Sequence, residues 1–179
     1  MQLFSKWASR EHPLGVRIAV LLLAAVLFLC LLPLAVVGGG SSLDRQFGLS
    51  RLDLGAANYI LGGVLGVMGL FFGFWSIGDQ VTRGRGTPLP MMPTQELLTG
   101  GPFRYCRNPM TVGTILAYSG LGIAAGTISG VGLVLCLGAT LILYIKGIEE
   151  KELAERFGDA YLAYKRDVPF IIPRLRGRP

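Results

Sequence analysis

Charged side chains are concentrated in two segments of the sequence, residues 83–110 and 146–174. The first segment ends in GPFRYCRNPM, which places Arg104, Arg107 and Asn108 directly before a long uncharged stretch. The second begins with KGIEEKE, which places two adjacent carboxylates directly after that stretch. Such groups beside apolar walls can bind a zwitterionic ligand such as an α-amino acid group, whose carboxylate pairs with Arg and whose ammonium pairs with Glu.

The adjacent carboxylates, Glu149 and Glu150, have two interpretations. On an exposed helix face they form Glu–Lys pairs with Lys146 and Lys151 and have no further role. In a pocket, at least one of them faces the ligand. Helical periodicity does not decide which one, so both alternatives stay open at the level of the sequence.

The elements that must position these groups are long apolar helices. No Asp, Glu, Lys or Arg occurs in residues 18–43, 54–78 and 110–145, and a run of about 18 apolar residues is long enough for a membrane span. The third stretch is too long for one helix and is broken by GIAAGTISGVG at 122–132. We therefore predict an all-α, polytopic membrane bundle whose last two spans form a hairpin, with a cytoplasmic C-terminal helix. The predicted spans lie near residues 18–38, 55–78, 110–126 and 129–147.

Glycines give two further predictions about these helices. In the second span they recur three or four residues apart, at Gly62, Gly66, Gly69 and Gly73. Small residues at this spacing let membrane helices approach closely, which predicts that this span packs tightly against a neighbour. After the last span, Gly158 is predicted to end the helix as a C-cap.

The distribution of charge predicts the orientation of the chain in the membrane and limits the classes of partner that we expect. The net charge is +6. Basic residues exceed acidic ones by three to one in residues 1–17, by four to two in 79–107 and by eight to six from residue 146 onward, whereas residues 44–53 are neutral. The positive-inside rule then places both chain ends and the 79–107 segment in the cytoplasm. Because topology accounts for this charge, we expect no nucleic-acid partner. The single histidine, His12, supports no zinc site of the usual His/Cys kind, and no metal is predicted.

The order of the motifs resembles that of the isoprenylcysteine carboxyl methyltransferase and phospholipid methyltransferase family. That family has a G-P-[YF]-R-Y-x-R-H-P-x-Y-x-G segment, a hairpin, an E-E pair and an F-G-x-x-Y-x-x-Y helix, often after a G-x-G-T-P-x-P loop. The corresponding parts here are GRGTPLP at 84–90, GPFRYCRNPM at 101–110, the pair Glu149–Glu150 and FGDAYLAYKRDVPFIIPR at 157–174. The resemblance covers about residues 83–174.

The resemblance implies an integral membrane methyltransferase that uses S-adenosyl-L-methionine. The cofactor would enter from the cytoplasm. The acceptor would be a lipophilic or lipidated molecule that carries a prenylcysteine-like carboxylate or a lipid headgroup. It would enter from the bilayer, and membrane lipids would surround the protein. Residues 1–82 would form a two-span region and residues 83–179 the methyltransferase core.

The resemblance also implies roles for individual residues. The implied cofactor contacts are Gln95, Glu96, Leu97, Leu98, Phe103, Asn108, Pro109, Met110, Thr111 and Glu149. The implied catalytic residues are Arg107, Asn108 and Glu150. The implied substrate residues are Lys146 and Tyr161, although the substrate-contacting arginine of the carboxyl methyltransferases falls at Ile145 here. Asn108 stands where the family has His, and Thr111 where it has Tyr. Because Asn cannot accept a proton, the first substitution disfavours acceptors that need a base, or it marks an inactive member.

Two alternatives to this function stay open. Membrane sterol reductases resemble the same family in their C-terminal part and use NADPH, but the short chain has no extra sterol-binding helices. A catalytically inactive lipid-binding or scaffold protein would keep the fold and tolerate Asn108. Binding of S-adenosylmethionine, S-adenosylhomocysteine or NADPH distinguishes the three.

Overall fold

The computed structural model describes residues 14–87 and 93–174, and every regular element within these ranges is a helix. In chain order the elements are the helical run α1 (residues 14–46), α2 (Ala56–Thr82), a 3₁₀ turn (Gly101–Arg104), α3 (Pro109–Ala125), α4 (Ile128–Tyr144), a π-helical turn (Ile145–Glu149) and α5 (Glu150–Asp167). The all-α prediction is confirmed, and α3 and α4 form a hairpin. The chain ends and residues 88–90 of GRGTPLP, which carried predictions, lie outside the described residues.

Within the described ranges, three helices are long and apolar enough to cross a membrane: Ile18–Gln46, Ala56–Thr82 and Ile128–Asp167. The remaining predicted span is α3, which is apolar but has 17 residues. At 1.5 Å per residue it is about 25 Å long, slightly less than the ~30 Å hydrocarbon layer. The bundle thus has three full-length helices and one shorter apolar helix.

The longest of these helical runs, Ile128–Asp167, has 40 residues but is interrupted at Gly158. The part before this glycine is about 45 Å long, which is more than the ~30 Å hydrocarbon layer. Only its apolar part, α4, therefore fits the membrane. The charged part begins at Lys146 and includes the π-helical turn and α5, which we assign to the membrane surface.

Helices α2 and α3 pack backbone to backbone. A Cβ built on Gly62 would lie 2.6 Å from the carbonyl oxygen of Gly120, and one built on Gly69 would clash with backbone atoms of α3. These contacts agree with the tight packing predicted from the glycine spacing. A Cβ on Gly66 or Gly73 would meet nothing within 4 Å, so only part of the glycine series requires its missing side chain.

Helix α1 rests on both helices of the hairpin. It contains a π-helical stretch at Leu27–Leu31, and the hydroxyl of Tyr118 donates a hydrogen bond to the backbone oxygen of Phe28 within this stretch. Farther along α1, Val36 is buried with Tyr118 and Val134 in one apolar cluster. The hydrogen bond and the apolar cluster thereby hold α1 against α3 and α4.

The hairpin turn is built from capping groups. Gly126 has a φ of +69°, a left-handed conformation that favours glycine, and ends α3. The side chain of Thr127 accepts a hydrogen bond from the backbone N–H of Gly130 at 3.0 Å. Asp44, from α1, accepts one from the N–H of Ser129 at 2.8 Å. Together they satisfy free N–H groups at the start of α4 and hold the end of α1 against it.

The first part of α5 ends at Gly158, as predicted, because the φ of +52° and ψ of −131° of this glycine are not helical. A second helical part follows and extends to Asp167. The chain turns back between the two parts, because Glu150 and Lys165 would lie about 22 Å apart along a straight helix but form an ion pair at 2.7 Å. The second half of α5 is stabilised by packing, because Tyr161 and Tyr164 are buried against the segment between α2 and α3. Tertiary contacts thus hold the second part of α5 in place after this glycine has ended the first part.

Candidate functional site

A cavity of about 290 Å³ lies where the hairpin, the start of α5 and the connector meet, the connector being the chain between α2 and α3, residues 83–108. Its volume is at the lower end of the range for small-molecule sites, about 300–1,000 Å³. The connector and α5 supply polar groups, whereas α1, α3 and α4 supply mainly apolar ones. The cavity therefore joins the two polar segments of the sequence to the membrane helices.

The GPFRYCRNPM segment folds as the 3₁₀ turn followed by the start of α3. Gly101 has a φ of +54°, and a Cβ there would clash with the carboxylate of Asp79, so both conformation and space require glycine. Pro109 lies in the first turn of α3, where its missing N–H costs nothing. The hydroxyl of Tyr164 donates to the backbone oxygen of Phe103 at 2.7 Å and fixes the segment to α5.

Glu150 is the centre of a partly buried ion cluster. Its Oε1 lies 2.9 Å from Arg107 Nη2, an ion contact without the direction of a hydrogen bond, and its Oε2 lies 2.7 Å from Lys165 Nζ. The side chains of Arg107 and Glu150 are 10% and 9% exposed, whereas that of Lys165 is 43% exposed. Two cations engage this carboxylate, which fits a positioning role for Glu150. Arg107 Nε is buried and has no hydrogen-bond partner among the described residues, so it can donate to a ligand.

Asn108 holds the C-terminal segment, residues 168–174, against the connector. Its Nδ2 donates to the backbone oxygen of Phe170 at 3.0 Å. The backbone N–H of Arg107 donates to the oxygen of Pro169 at 2.9 Å, and the Arg107 guanidinium lies 5.6 Å from the centre of the Phe170 ring. Asn108 also lines the cavity. The side-chain amide of Asn108 therefore donates a hydrogen bond to the backbone and also forms part of the cavity wall.

Glu149 lines the cavity without a counter-ion. In the part of the chain that the structure describes, its carboxylate makes no ion pair and no hydrogen bond. Burial, and then the negative charges of Glu152 and Glu150, raise the pKa of Glu149 above its usual value. Glu149 is half-buried. A carboxylate that is partly removed from water and has no cation is unfavourable, and a cationic ligand would relieve this cost. Glu149 is accordingly the best candidate for the group that recognises a positive charge.

Arg156 connects α5 to the connector and was not identified from the sequence. Its Nη2 donates to the backbone oxygen of Thr94 at 2.7 Å, and Thr94 packs closely against Gly86. Arg156 and Glu152 both line the cavity. Spacing could have located them, because side chains three or four residues apart share a helix face, and Glu152 follows Glu149 by three residues.

Tyr161 and Tyr164 lie one turn apart on α5 and also line the cavity. They are only 2% and 8% exposed. Burial raises the pKa of Tyr161 to about 12, and burial also raises the pKa of Tyr164 above its usual value. Both hydroxyls therefore stay protonated at neutral pH and act as hydrogen-bond donors rather than as bases.

Most residues to which the resemblance gave a role meet in this cavity. Those lining it are Leu97, Leu98, Phe103, Arg107, Asn108, Pro109, Met110, Thr111, Glu149, Glu150 and Tyr161. Gln95, Glu96 and Lys146 do not line it. Gln95 donates from Nε2 to the oxygen of Pro93 at 2.9 Å, Glu96 is exposed, and the Lys146 ammonium lies 4.9 Å from the centre of the Phe170 ring.

Membrane-helix residues complete the wall, and the sequence carried no signal for them. Phe28 of α1, Thr114 of α3, and Leu141 and Tyr144 of α4 all line the cavity. In a membrane helix, apolar residues face lipid and protein alike, so composition does not distinguish a cavity wall from a lipid-facing surface. Only the packing of the helices identifies these residues.

Comparison with known proteins shows the family of the chain. The model of the family described as phospholipid methyltransferase matches residues 57–160. That range is more than half of the 179-residue chain and contains the connector, the hairpin and the first part of α5, which together form most of the cavity wall. No curated protein and no solved structure matches the chain. Because the match covers more than half of the chain, it shows that the chain belongs to the phospholipid methyltransferase family.

Proposed function

We propose that the protein is an integral membrane enzyme that transfers the methyl group of S-adenosylmethionine to a lipophilic acceptor. The observation that carries the proposal is Glu149, a half-buried carboxylate without a cation within ion-pair distance, in a cavity between the connector and the membrane helices. S-adenosylmethionine has complementary charges, because its sulfonium and ammonium groups are cations. Membership of a methyltransferase family supports methyl transfer, and the charge of the cavity supports this donor.

The remaining wall residues fit the other parts of the cofactor. Arg107 Nε–H is buried without an acceptor, and a carboxylate such as that of the methionine moiety would satisfy it. Leu97, Leu98 and Phe103 supply apolar surface from the connector. The wall thus combines the half-buried carboxylate of Glu149, an unsatisfied guanidinium N–H and apolar surface, which matches a zwitterionic, partly apolar molecule.

Bound S-adenosylmethionine would supply an electrophilic methyl group, so the protein has mainly to align the acceptor and exclude water. The wall offers few bases. Tyr161 stays protonated, Asn108 cannot accept a proton, and Glu150 is engaged by two cations. An acceptor carboxylate needs no base, whereas a headgroup ammonium must lose a proton before attack. For that second class, Glu149 is the half-buried wall carboxylate without an ion-pair partner, whereas Glu152 is exposed.

We place the cavity and both chain ends on the cytoplasmic side, because the basic excess lies in the segments that flank it. The cofactor then enters from the cytoplasm and the acceptor from the bilayer, between α3 and α4. The division into residues 1–82 and 83–179 stays a prediction. Helix α2, from the first region, packs backbone to backbone on α3 of the second.

Calorimetric titration of the purified protein with S-adenosylmethionine, S-adenosylhomocysteine and NADPH tests the proposal. We expect both adenosyl ligands to bind and NADPH not to bind. Binding of NADPH alone would favour a sterol-reductase-like enzyme instead. Transfer of a labelled methyl group into extracted lipid then distinguishes an active enzyme from an inactive relative, which would bind S-adenosylhomocysteine without producing labelled lipid.

A further inference from the structure

The cavity extends into the membrane helices as far as α1. Phe28 of α1 lines it together with Thr114 of α3 and Leu141 of α4. The family match begins at residue 57, so Phe28 belongs to a part of the chain that the family pattern does not describe. A wall residue outside the shared region can distinguish the acceptors of this protein from those of its relatives.

Phe28 is held in a defined position. It lies in the π-helical stretch Leu27–Leu31, and its backbone oxygen accepts a hydrogen bond from the hydroxyl of Tyr118 on α3. A π-helical stretch alters the direction of its side chains relative to a regular α-helix and frequently marks a functional site. Its neighbours Leu27 and Leu29 are 43% and 56% exposed and face the lipid side, whereas Phe28 is half-buried and packs toward the hairpin.

We propose that Phe28 closes the membrane end of the cavity and limits the length of the hydrocarbon chain that the acceptor inserts. The inference rests on the proposed function and assigns a specificity-determining residue to the same site. A rigid aromatic ring that is anchored through its own backbone sets a fixed limit. A smaller side chain at this position extends the cavity between α1, α3 and α4, and a larger one shortens it.

The test uses the full chain in mixed micelles with Phe28→Ala, Phe28→Trp and a lipid-facing control, Leu29→Ala. Two series of acceptors are compared: N-acetyl-S-geranyl-, S-farnesyl- and S-geranylgeranylcysteine, and phosphatidylethanolamines with acyl chains of increasing length. Acceptor affinity is measured on protein loaded with S-adenosylhomocysteine, and transfer of a labelled methyl group is measured in parallel. The affinity for S-adenosylhomocysteine alone serves as the check on folding.

We expect Phe28→Ala to shift the preference toward longer chains by about tenfold, as expected for methylene groups in an apolar pocket. Phe28→Trp should shift it toward shorter chains. Leu29→Ala should leave the order unchanged, and all variants should bind S-adenosylhomocysteine like the wild type. An unchanged order in both Phe28 variants, or an equal shift in Leu29→Ala, would overturn the inference.

The failure of the inference and the failure of the proposed function give different results. If the wild type binds S-adenosylhomocysteine but neither binds nor methylates any member of the two series, the hydrocarbon assignment at Phe28 is wrong. If it does not bind S-adenosylhomocysteine at all, the proposed function itself is wrong.

Discussion

Glu149 and Glu150 are adjacent in the chain and both line the cavity, yet among the described residues only Glu150 has cations within ion-pair distance. Arg107 and Lys165 engage Glu150. Glu149 faces only further negative charge, from Glu152 and Glu150 itself. We therefore infer different roles for the two carboxylates. Glu150 stabilises the fold through its contacts with Arg107 and Lys165, whereas Glu149 is available to bind a cationic ligand.

The first prediction concerns the pH dependence of stability. Because the pKa of Glu149 is raised in the folded protein, its ionisation opposes folding. The cost is absent below the usual glutamate pKa, grows as the pH rises through the raised pKa, and is fully present above it. Glu149→Gln should therefore raise the melting temperature of the ligand-free protein at neutral pH but not in acid. Thermal unfolding at several pH values measures this, and a lower melting temperature of Glu149→Gln at neutral pH would contradict it.

The second prediction concerns the Arg107–Glu150 contact. Removing one partner of a buried ion pair leaves the other without compensation, so Arg107→Gln and Glu150→Gln should each lower the free energy of unfolding by about 3 kcal/mol. The double variant should lose less than the sum of the two. Unfolding in detergent measures the cycle, with the exposed Arg104→Gln as the control. Additive losses would show that the two side chains do not interact in the folded protein.

The third prediction concerns the packing of α2 on α3. Gly62→Ala places a methyl group against the backbone of α3, and overpacking of this kind costs about 1–3 kcal/mol. Gly63→Ala adds the same methyl group one residue along the helix, where nothing lies within 4 Å. The first variant should be less stable in detergent and the second should not. Equal stability of the two would rule out the close contact between these helices.

The fourth prediction concerns Asn108. Asn108→Ala loses the hydrogen bond to Phe170, worth about 1 kcal/mol, and should increase hydrogen exchange in residues 168–174. It should also weaken binding of S-adenosylhomocysteine, because Asn108 lines the cavity. Asn108→His supplies a donor again and should restore both properties. If the alanine variant binds normally while the histidine variant fails to fold, Asn108 has a purely structural role.

The sequence was sufficient to predict the helices and eleven of the 24 described residues that line the cavity. The uncharged stretches predicted the apolar helices, because a helix that is buried in lipid must lack charged side chains. The motif resemblance predicted that Arg107, Asn108 and Glu149 belong to one site. The roles of Glu149 and Glu150 could not be separated. Glu149 is the last residue of the π-helical turn Ile145–Glu149 and Glu150 follows it. A π-helical turn changes the direction of side chains, so a period of 3.6 residues does not describe them.

Other features depend on contacts between distant parts of the chain. Asn108 binds the backbone of a residue 62 positions away, and Phe28 meets Tyr118 across 90 positions. Local propensity carries no information about such pairs. The position of the second part of α5 has the same origin. Gly158 ends the first part, as the sequence predicts, whereas the burial of Tyr161 and Tyr164 against distant residues such as Phe103 fixes where the chain returns.

The affinity of S-adenosylhomocysteine for the wild type, Glu149→Gln and Glu155→Gln tests the central claim most directly. Glu155 is exposed and lies outside the cavity, so it is the matched control. Loss of a charge-assisted hydrogen bond is worth about 1.5–3 kcal/mol. Glu149→Gln should thus weaken binding by about tenfold to a hundredfold, whereas Glu155→Gln should bind like the wild type. Equal affinity of Glu149→Gln and the wild type would contradict the assignment of Glu149 to the cofactor.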